Sequence, residues 1–156
     1  TKIYWAIIAE VPSLDEGLID LPLAKQPGTG GEKMHVDEKE GLPSKSRYRV
    51  IDRAGNRAAW AELRPLTGRT HQLRAHMAHI GHPIIGDPRY FAIENWELPG
   101  GLQNRLHLLA RRICIPHPRG GVVDVTAPLP AHMLQSFNLL GFDAERFDPI
   151  VDAPED

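Results

Sequence analysis

The sequence predicts an α+β fold, in which a sheet is flanked by a small number of helices. Glycine and proline each occur 14 times in 156 residues, and so many turns favour a sheet-containing fold over a helical bundle. Most apolar segments either alternate with polar residues or form short β-branched runs, as strands do. With 42% hydrophobic residues the chain can build a core of its own, and its length suits one domain or a large part of one.

Seven segments have the composition of strands. The first is a β-branched and aromatic run of the kind found in buried strands, and the fourth alternates as a half-exposed strand should. A hairpin signal at Ala54–Asn56 predicts that the fourth and fifth pair with each other. A flexible loop is expected at Gln26–Gly31. The segments are Ile3–Ala9, Leu18–Leu23, Lys33–Val36, Ser46–Asp52, Ala58–Leu66, Leu109–Pro116 and Val122–Thr126.

Two helices are predicted from apolar residues at helical spacing. The first begins at Thr70, a plausible N-cap, and runs to His79, with Gly81 as the residue after its end. Its inward stripe is Leu73, Met77 and Ile80. The second helix is expected at Pro130–Leu140, with Met133, Phe137 and Leu140 inward.

Composition also narrows the classes of protein. No apolar run approaches the roughly 20 residues needed to cross a bilayer, and the chain does not start with a signal peptide. The single cysteine, Cys114, cannot form an internal disulfide, which indicates a cytoplasmic protein. The chain starts at Thr1, within a strand-like pattern, and we expect this to be a cut end.

Charge is unevenly distributed along the chain. The net charge is −2, yet Leu42–Arg119 holds 13 Lys and Arg against five acids, a local charge of about +8. The segment from Asp143 carries six acids against Arg146 alone. A positive stretch of this kind is typical of proteins that bind a polyanion, and it is also typical of a solvated sheet face. Charge alone leaves both interpretations open.

The stretch from Gly68 to Tyr90 is the most informative part of the chain, because it concentrates groups that prefer water or a ligand. Its four histidines, His71, His76, His79 and His82, raise the possibility of a metal site, but their spacing is poor and no HExxH pattern is present. We therefore predict no metal site and assign these histidines to caps and loops. Asp87, between a glycine and a proline, is predicted to bind nearby backbone N–H groups in a turn.

These segments resemble, in order, the motifs of the RluA-type RNA pseudouridine synthases. The resemblance covers about residues 1–130. The matching segments are Lys2–Ala6 (K-x-Y-x-A), Glu16–Leu23 (E-G-x-I-D-x-P-L), Lys33–Met34, Ser46–Val50, Leu66–His76, Leu106–Ala110 and Pro116–Pro118.

The resemblance implies a mixed, mainly antiparallel sheet and the isomerisation of uridine to pseudouridine in ribosomal or transfer RNA. It implies no metal and no organic cofactor. The active-site residues would be Arg74, which pairs with a nucleophilic Asp, and Tyr4, which stacks on the target base. Arg69, His71 and Gln72 would contact RNA. No membrane contact and no obligatory protein partner is indicated.

Two departures from the family pattern bear on activity. The family usually has His where this chain has Leu109, with His107 two positions earlier. The His-Arg-Leu-Asp segment that holds the nucleophile does not occur in the 156 residues. We therefore expect residues 1–142 to be the C-terminal part of a catalytic domain, residues 143–156 to be an acidic tail, and the isolated chain to be inactive. The alternatives are a non-catalytic RNA-binding module and a metal-dependent hydrolase.

Overall fold

The computed structural model describes residues 1–28 and 33–146. Half of the expected loop at Gln26–Gly31, and the acidic tail beyond residue 146, lie outside the described residues. The elements in chain order are β1 Lys2–Ala9, β2 Glu16–Asp20, β3 Leu23–Lys25, β4 Met34–Val36, β5 Lys45–Ala54, β6 Ala58–Pro65, α1 Gln72–His79, β7 Leu108–Pro116, β8 Val122–Thr126 and α2 Ala131–Leu140.

Six of these strands form one sheet in the order β2-β5-β6-β1-β7-β8, and each described pairing in it is antiparallel. The hairpin between β5 and β6 turns at Gly55, whose φ of 57° is the left-handed conformation that glycine adopts easily. β3 and β4 form a separate two-stranded sheet. The predicted α+β fold, an antiparallel sheet with flanking helices, is confirmed.

The strand β1 is central, and both of its faces are buried, which explains its continuous apolar composition. Trp5 and Ile7 face one core, where α2 covers the sheet with Met133 and Phe137. The rings of Trp5 and Trp60 meet edge to face with centroids 4.8 Å apart. Each such side chain buries a large apolar surface, so this cluster holds α2 to the sheet.

The opposite face of β1 carries Ala6 and Ile8, and α1 packs there through Leu73 and Met77. The small sheet of β3 and β4 lies against the same helix. Among the residues described, no helix is long and apolar enough to span a membrane.

The expected strand Leu18–Leu23 is divided in two. Pro22 lacks a backbone N–H, and the amides on either side turn to another segment. Leu21 N–H donates to Ser44 O at 3.1 Å, and Leu23 N–H donates to Leu42 O at 3.0 Å. As a result β2 stays in the main sheet, and β3 pairs with β4 beneath α1.

Candidate active site

A cleft of about 890 Å³ opens beside the N-terminal end of β1. All five residues that the sequence singled out as site residues line this cleft. It also holds apolar side chains from the same region. The cleft therefore combines aromatic and apolar side chains with cationic groups. The predicted residues are Tyr4, Arg69, His71, Gln72 and Arg74, and the apolar ones include Leu66, Leu73, Leu106 and Leu108.

Tyr4 enters the cleft from a point where the sheet is irregular. It lies opposite Leu63 on β6, and the register between β1 and β7 shifts between Ile3 and Tyr4. Such a bulge re-aims a side chain and increases the local twist. Tyr4 is half-buried, with its ring packed against the core cluster that supports α1. The sheet therefore fixes the ring while leaving part of it accessible.

The helix α1 begins later than predicted. Its N-cap is His71, in the left-handed conformation with φ 50°, and no side chain caps the helix. Thr70, the predicted N-cap, is exposed in the preceding turn. The predicted end is correct, because Ile80 is the C-cap and Gly81 follows with φ 92°. The error has a physical reason: the neighbouring side chain of Gln72 organises this loop instead.

Gln72 is 3% exposed and uses its whole amide within the protein. Its Oε1 accepts hydrogen bonds from Thr67 Oγ1 (2.6 Å) and Arg69 N–H (3.1 Å). Its Nε2 donates to Lys45 O (2.7 Å) and Ser46 Oγ (2.9 Å). This accounts for both acceptor sites and both donors of the amide. The RNA contact expected for Gln72 does not fit this arrangement, in which the residue ties the cleft loop to β5.

Arg74 is held by Asp87 in a bidentate ion pair. Arg74 Nε and Nη2 each donate to an Asp87 carboxylate oxygen at 2.9 Å. The side chain of Asp87 is fully buried and that of Arg74 is 14% exposed. Arg74 Nη1 makes no hydrogen bond among the described residues. The guanidinium therefore has one edge fixed and one nitrogen available to a further acceptor.

The charges of this pair follow from its contacts. Burial acts to raise the pKa of Asp87, but hydrogen bonds from Arg74 and from the backbone amides of Arg89 and Tyr90 outweigh burial, so the pKa of Asp87 is lowered from 3.8. The hydrogen bonds with Asp87 raise the pKa of Arg74. Both groups are therefore ionised at neutral pH, and the cleft presents a permanent, immobilised cation.

Tyr90 completes this unit. Its ring lies 5.1 Å from the Arg74 guanidinium carbon, within the range of a cation–π contact. Its hydroxyl accepts a hydrogen bond from Met34 N–H at 2.9 Å and lies 3.0 Å from His71 Nδ1. The predicted turn at Asp87 is confirmed, because Asp87 Oδ1 accepts hydrogen bonds from the amides of Arg89 and Tyr90. The sequence did not reveal that Asp87 and Tyr90 also position Arg74.

Two of the three other histidines in this stretch make contacts within the fold. His76 is buried between Ser46 Oγ and Leu21 O, each 2.8 Å from a ring nitrogen. His82 Nδ1 lies 3.2 Å from Ala9 O, and His79 is exposed. Within residues 1–28 and 33–146, no group of three or more His, Cys, Asp or Glu could hold a metal ion.

His107 lies two positions before Leu109, the position at which the family usually has histidine. It is fully buried. Its Nδ1 donates to Arg105 O at 2.6 Å, and its Nε2 lies 2.7 Å from Ser136 Oγ on α2. It therefore joins α2 to the loop that precedes β7. The exchange of position leaves a histidine in a structural role next to the cleft wall.

Comparison with known proteins agrees with this fold. The family described as RNA pseudouridylate synthase matches residues 1–79. This chain belongs to the RNA pseudouridylate synthase family. It is 40% identical over 130 residues to the dual-specificity RNA pseudouridine synthase RluA of Salmonella typhi, covering 83% of this chain and 57% of the relative. It is 36% identical over 136 residues to an uncharacterised RNA pseudouridine synthase of Synechocystis, covering 84% of this chain and 39% of the relative.

Solved structures show the same fold. Human RNA pseudouridylate synthase domain containing 4 superposes with a TM-score of 0.70 at 27% identity, covering 90% of this chain and 62% of that one. Human RNA pseudouridylate synthase domain containing 1 superposes with a TM-score of 0.68 at 26% identity, covering 90% of this chain and 65% of that one. The chain spans 39% to 57% of the length of the Synechocystis and Salmonella relatives.

Proposed function

We propose that this chain is part of an enzyme that isomerises uridine to pseudouridine in ribosomal or transfer RNA, in the cytoplasm. The observation that supports this most strongly is the shared cleft, in which a supported Tyr4 ring and an immobilised Arg74 cation face one space. The reaction breaks the bond between the ribose and uracil N1, joins the ribose to C5, and moves the C5 proton to N1. It requires a flipped nucleotide in a closed pocket and needs no metal or organic cofactor.

Arg74 would hold the nucleophilic carboxylate. With Nε and Nη2 bound to Asp87, the nitrogen left for a second carboxylate is Nη1. An opposite charge at hydrogen-bonding distance keeps a carboxylate ionised and oriented for attack. No His-Arg-Leu-Asp segment occurs in these 156 residues, so the nucleophile must come from elsewhere. Asp87 does not fill this role, because it is fully buried and bound to Arg74.

Tyr4 would stack on the uracil and help to remove the C5 proton. Its ring belongs to the wall of the cleft, and stacking on an aromatic ring is a common way to hold an extruded base. Arg69 and His71 would contact the RNA backbone. Gln72 would act as a positioning residue that holds the loop of Arg69.

The proposal is tested by joining the chain to a segment that carries the His-Arg-Leu-Asp motif. We expect the joined protein to convert uridines in bulk ribosomal or transfer RNA, measured by pseudouridine-specific chemistry. The same protein with the motif Asp changed to Ala, and the 156-residue chain alone, should match a no-protein control.

Two outcomes would revise the proposal. Conversion by the 156-residue chain alone would mean that the nucleophile is one of its own residues. RNA binding without conversion in the joined protein would favour the non-catalytic RNA-binding module, which the missing motif keeps as the second candidate.

A further inference from the structure

A second cavity, of about 420 Å³, adjoins the cleft. His71, Arg74 and Leu106 line both cavities, so the two share a common wall. We call the second cavity the side groove. Because the two cavities adjoin at Arg74, an extended ligand bound in the cleft can continue directly into the side groove.

The walls of the side groove are two loops that carry one arginine each. Gly86, Pro88 and Arg89 form one wall, and Asn104 and Arg105 form the other. Among the described residues that line the groove, none is Asp or Glu. The charge of Arg74, which also reaches the groove, is balanced by the buried carboxylate of Asp87. The exposed side chain of Arg105 therefore supplies a positive charge on one wall of the groove, and the guanidinium of Arg89 belongs to the opposite wall.

The backbone of Arg105 is fixed by its neighbours. A Cβ atom on Gly86, whose φ is 78°, would lie 1.8 Å from Arg105 O, so only glycine allows the two loops to touch. His107 Nδ1 donates to the same oxygen at 2.6 Å, and Arg105 N–H donates to Gln103 O at 2.9 Å. The side chain of Arg105 is nevertheless exposed. A fixed backbone lowers the entropic cost of binding a ligand with that side chain.

The backbone on the opposite wall is also held in place. Asp87 Oδ1 accepts the amide of Arg89 at 3.0 Å, and the same carboxylate binds Arg74. The side chain of Arg89 is exposed as well. One buried carboxylate thus orders both the cation of the cleft and the loop that carries a cation of the side groove.

We propose that the side groove binds a backbone phosphate of the RNA strand next to the nucleotide held in the cleft. The inference rests on the function proposed above. A base extruded into the cleft remains attached to its backbone, and the phosphates on either side must find cations or stay in water. Arginine forks match phosphate oxygens in charge and geometry, and such contacts position the RNA without reading its sequence.

The test is a thermodynamic cycle between one side chain and one phosphate. A labelled RNA stem-loop is made with a single neutral methylphosphonate linkage at each loop position in turn, and its binding to the purified protein is measured. For wild type, the linkage next to the bound uridine should weaken binding about tenfold, as expected for loss of one charge-assisted contact. In Arg105→Ala the all-phosphate RNA should bind about tenfold more weakly, and the same linkage should then have no further effect.

The control variant is Arg53→Ala, which removes one positive charge from β5, at an arginine that does not line the cleft or the side groove. It should remain as sensitive to the neutral linkage as wild type. Arg105→Lys should restore most of the affinity, and Arg105→Ala should lower the slope of log affinity against log salt by about 1. Thermal unfolding of each variant checks that the fold is retained.

The outcomes separate this inference from the proposed function. If the losses from Arg105→Ala and from the neutral linkage add at every loop position, Arg105 contacts no loop phosphate and the inference is wrong. That result would leave the proposed function standing wherever the joined protein still converts uridine. If wild type binds no RNA at low salt and the joined protein converts none, both proposals fail.

Discussion

Arg74 lies between two carboxylates in the proposed mechanism, one seen in the structure and one supplied from outside these residues. The carboxylate seen in the structure is that of Asp87, whose side chain has no contact with solvent and depends on Arg74 for charge balance. The pair is therefore both part of the cleft and part of the fold. A substitution of Arg74 or of Asp87 is expected to change both activity and stability. The relative size of the two effects should differ between the two residues.

Arg74→Ala should leave Asp87 as a buried charge without its cation. We expect a loss of about 3–5 kcal/mol in the free energy of unfolding. Turnover in the joined protein should be almost abolished. Arg74→Lys should also fail in turnover, because lysine cannot hold two carboxylates with a planar fork. Chemical denaturation and pseudouridine formation measure the two effects, and wild-type turnover in either variant would remove Arg74 from the site.

Asp87→Asn is the matched variant at the other end, since it keeps the shape and removes the charge. We expect turnover to fall by about tenfold or more while the affinity for RNA changes little, because the Arg74 fork loses its anchor but the RNA contacts remain. A positioning role predicts this division between rate and affinity. Equal losses in both quantities would indicate instead that Asp87 only supports the fold.

Tyr4 has two proposed roles, which a pair of variants separates. Tyr4→Phe keeps the ring and should keep RNA affinity, while turnover falls by about 100-fold if the hydroxyl takes part in proton transfer. Tyr4→Leu removes the ring and should weaken binding as well. Rates measured at saturating RNA distinguish the two. Full turnover in Tyr4→Phe would restrict Tyr4 to stacking.

At the scale of elements, a buried histidine joins each helix to the rest of the domain. His76 links α1 to Ser46 on β5, and His107 links α2, through Ser136, to the loop that precedes β7. Burial lowers the pKa of both from the ordinary value of 6.5. Each is therefore neutral in the folded protein, and protonation works against the attachment of a helix.

This predicts a fall in stability at mildly acidic pH. The unfolded chain binds protons at these two sites below about pH 6.5, while the folded chain binds them only at lower pH, so stability is complete above 6.5 and is lost as pH falls through the lowered pKa values. Thermal midpoints between pH 8 and pH 5 measure this. His76→Gln, which removes one of the two sites, should make this fall shallower. A wild-type midpoint constant across that range would contradict the prediction.

The contact between the loops at Gly86 and Arg105 gives a second prediction at this scale. Gly86→Ala places a Cβ against backbone at a positive φ, and neither loop can yield without losing the hydrogen bonds of Asp87 or His107. We expect a loss of roughly 2–4 kcal/mol. Gly100→Ala is the control, because its Cβ would meet open space. Equal unfolding midpoints for the two variants would show that the loops separate easily.

At the scale of the whole molecule, pairing reduces the positive charge of the segment 42–119. At least six of its basic residues lie in ion pairs with acids of the described residues, and three of those acids come from outside the segment. The paired residues are Lys45, Arg49, Arg53, Arg64, Arg74 and Arg112, and the outside acids are Asp15, Asp20 and Asp124. The charge counted from the sequence therefore overstates the positive charge that RNA can contact. The cations that line the cleft and the side groove become the main candidates for contacts with RNA.

RNA binding by the chain alone should still be measurable and should depend on salt. Affinity for a stem-loop should fall linearly in log–log form as salt rises, because contacts with phosphate release counterions. Removing residues 143–156 should tighten binding, since that segment carries six acids and one arginine. Titrations at several salt concentrations, with and without the segment, measure both effects. If the affinity depends neither on salt nor on the presence of residues 143–156, the positive stretch is better explained as a solvated sheet face that binds no polyanion.

Local sequence determined most of the elements. The buried strand at β1, the hairpin at Gly55 and the helix end at Gly81 each depend on neighbours within a few positions, which is the range over which periodicity and turn chemistry act. The residues of the cleft loop were named from the resemblance to a family motif, which runs through one short polar stretch, and they line one cleft in the structure.

Only the tertiary structure decided how these residues work together. Arg74 and Asp87 are 13 positions apart, and Tyr4 reaches the cleft only because β1 lies between β6 and β7. The start of α1 moved from Thr70 to His71 because the Gln72 amide bonds to β5, some 26 residues earlier. Such contacts depend on how distant segments pair, and the local pattern of a sequence carries no measure of that register.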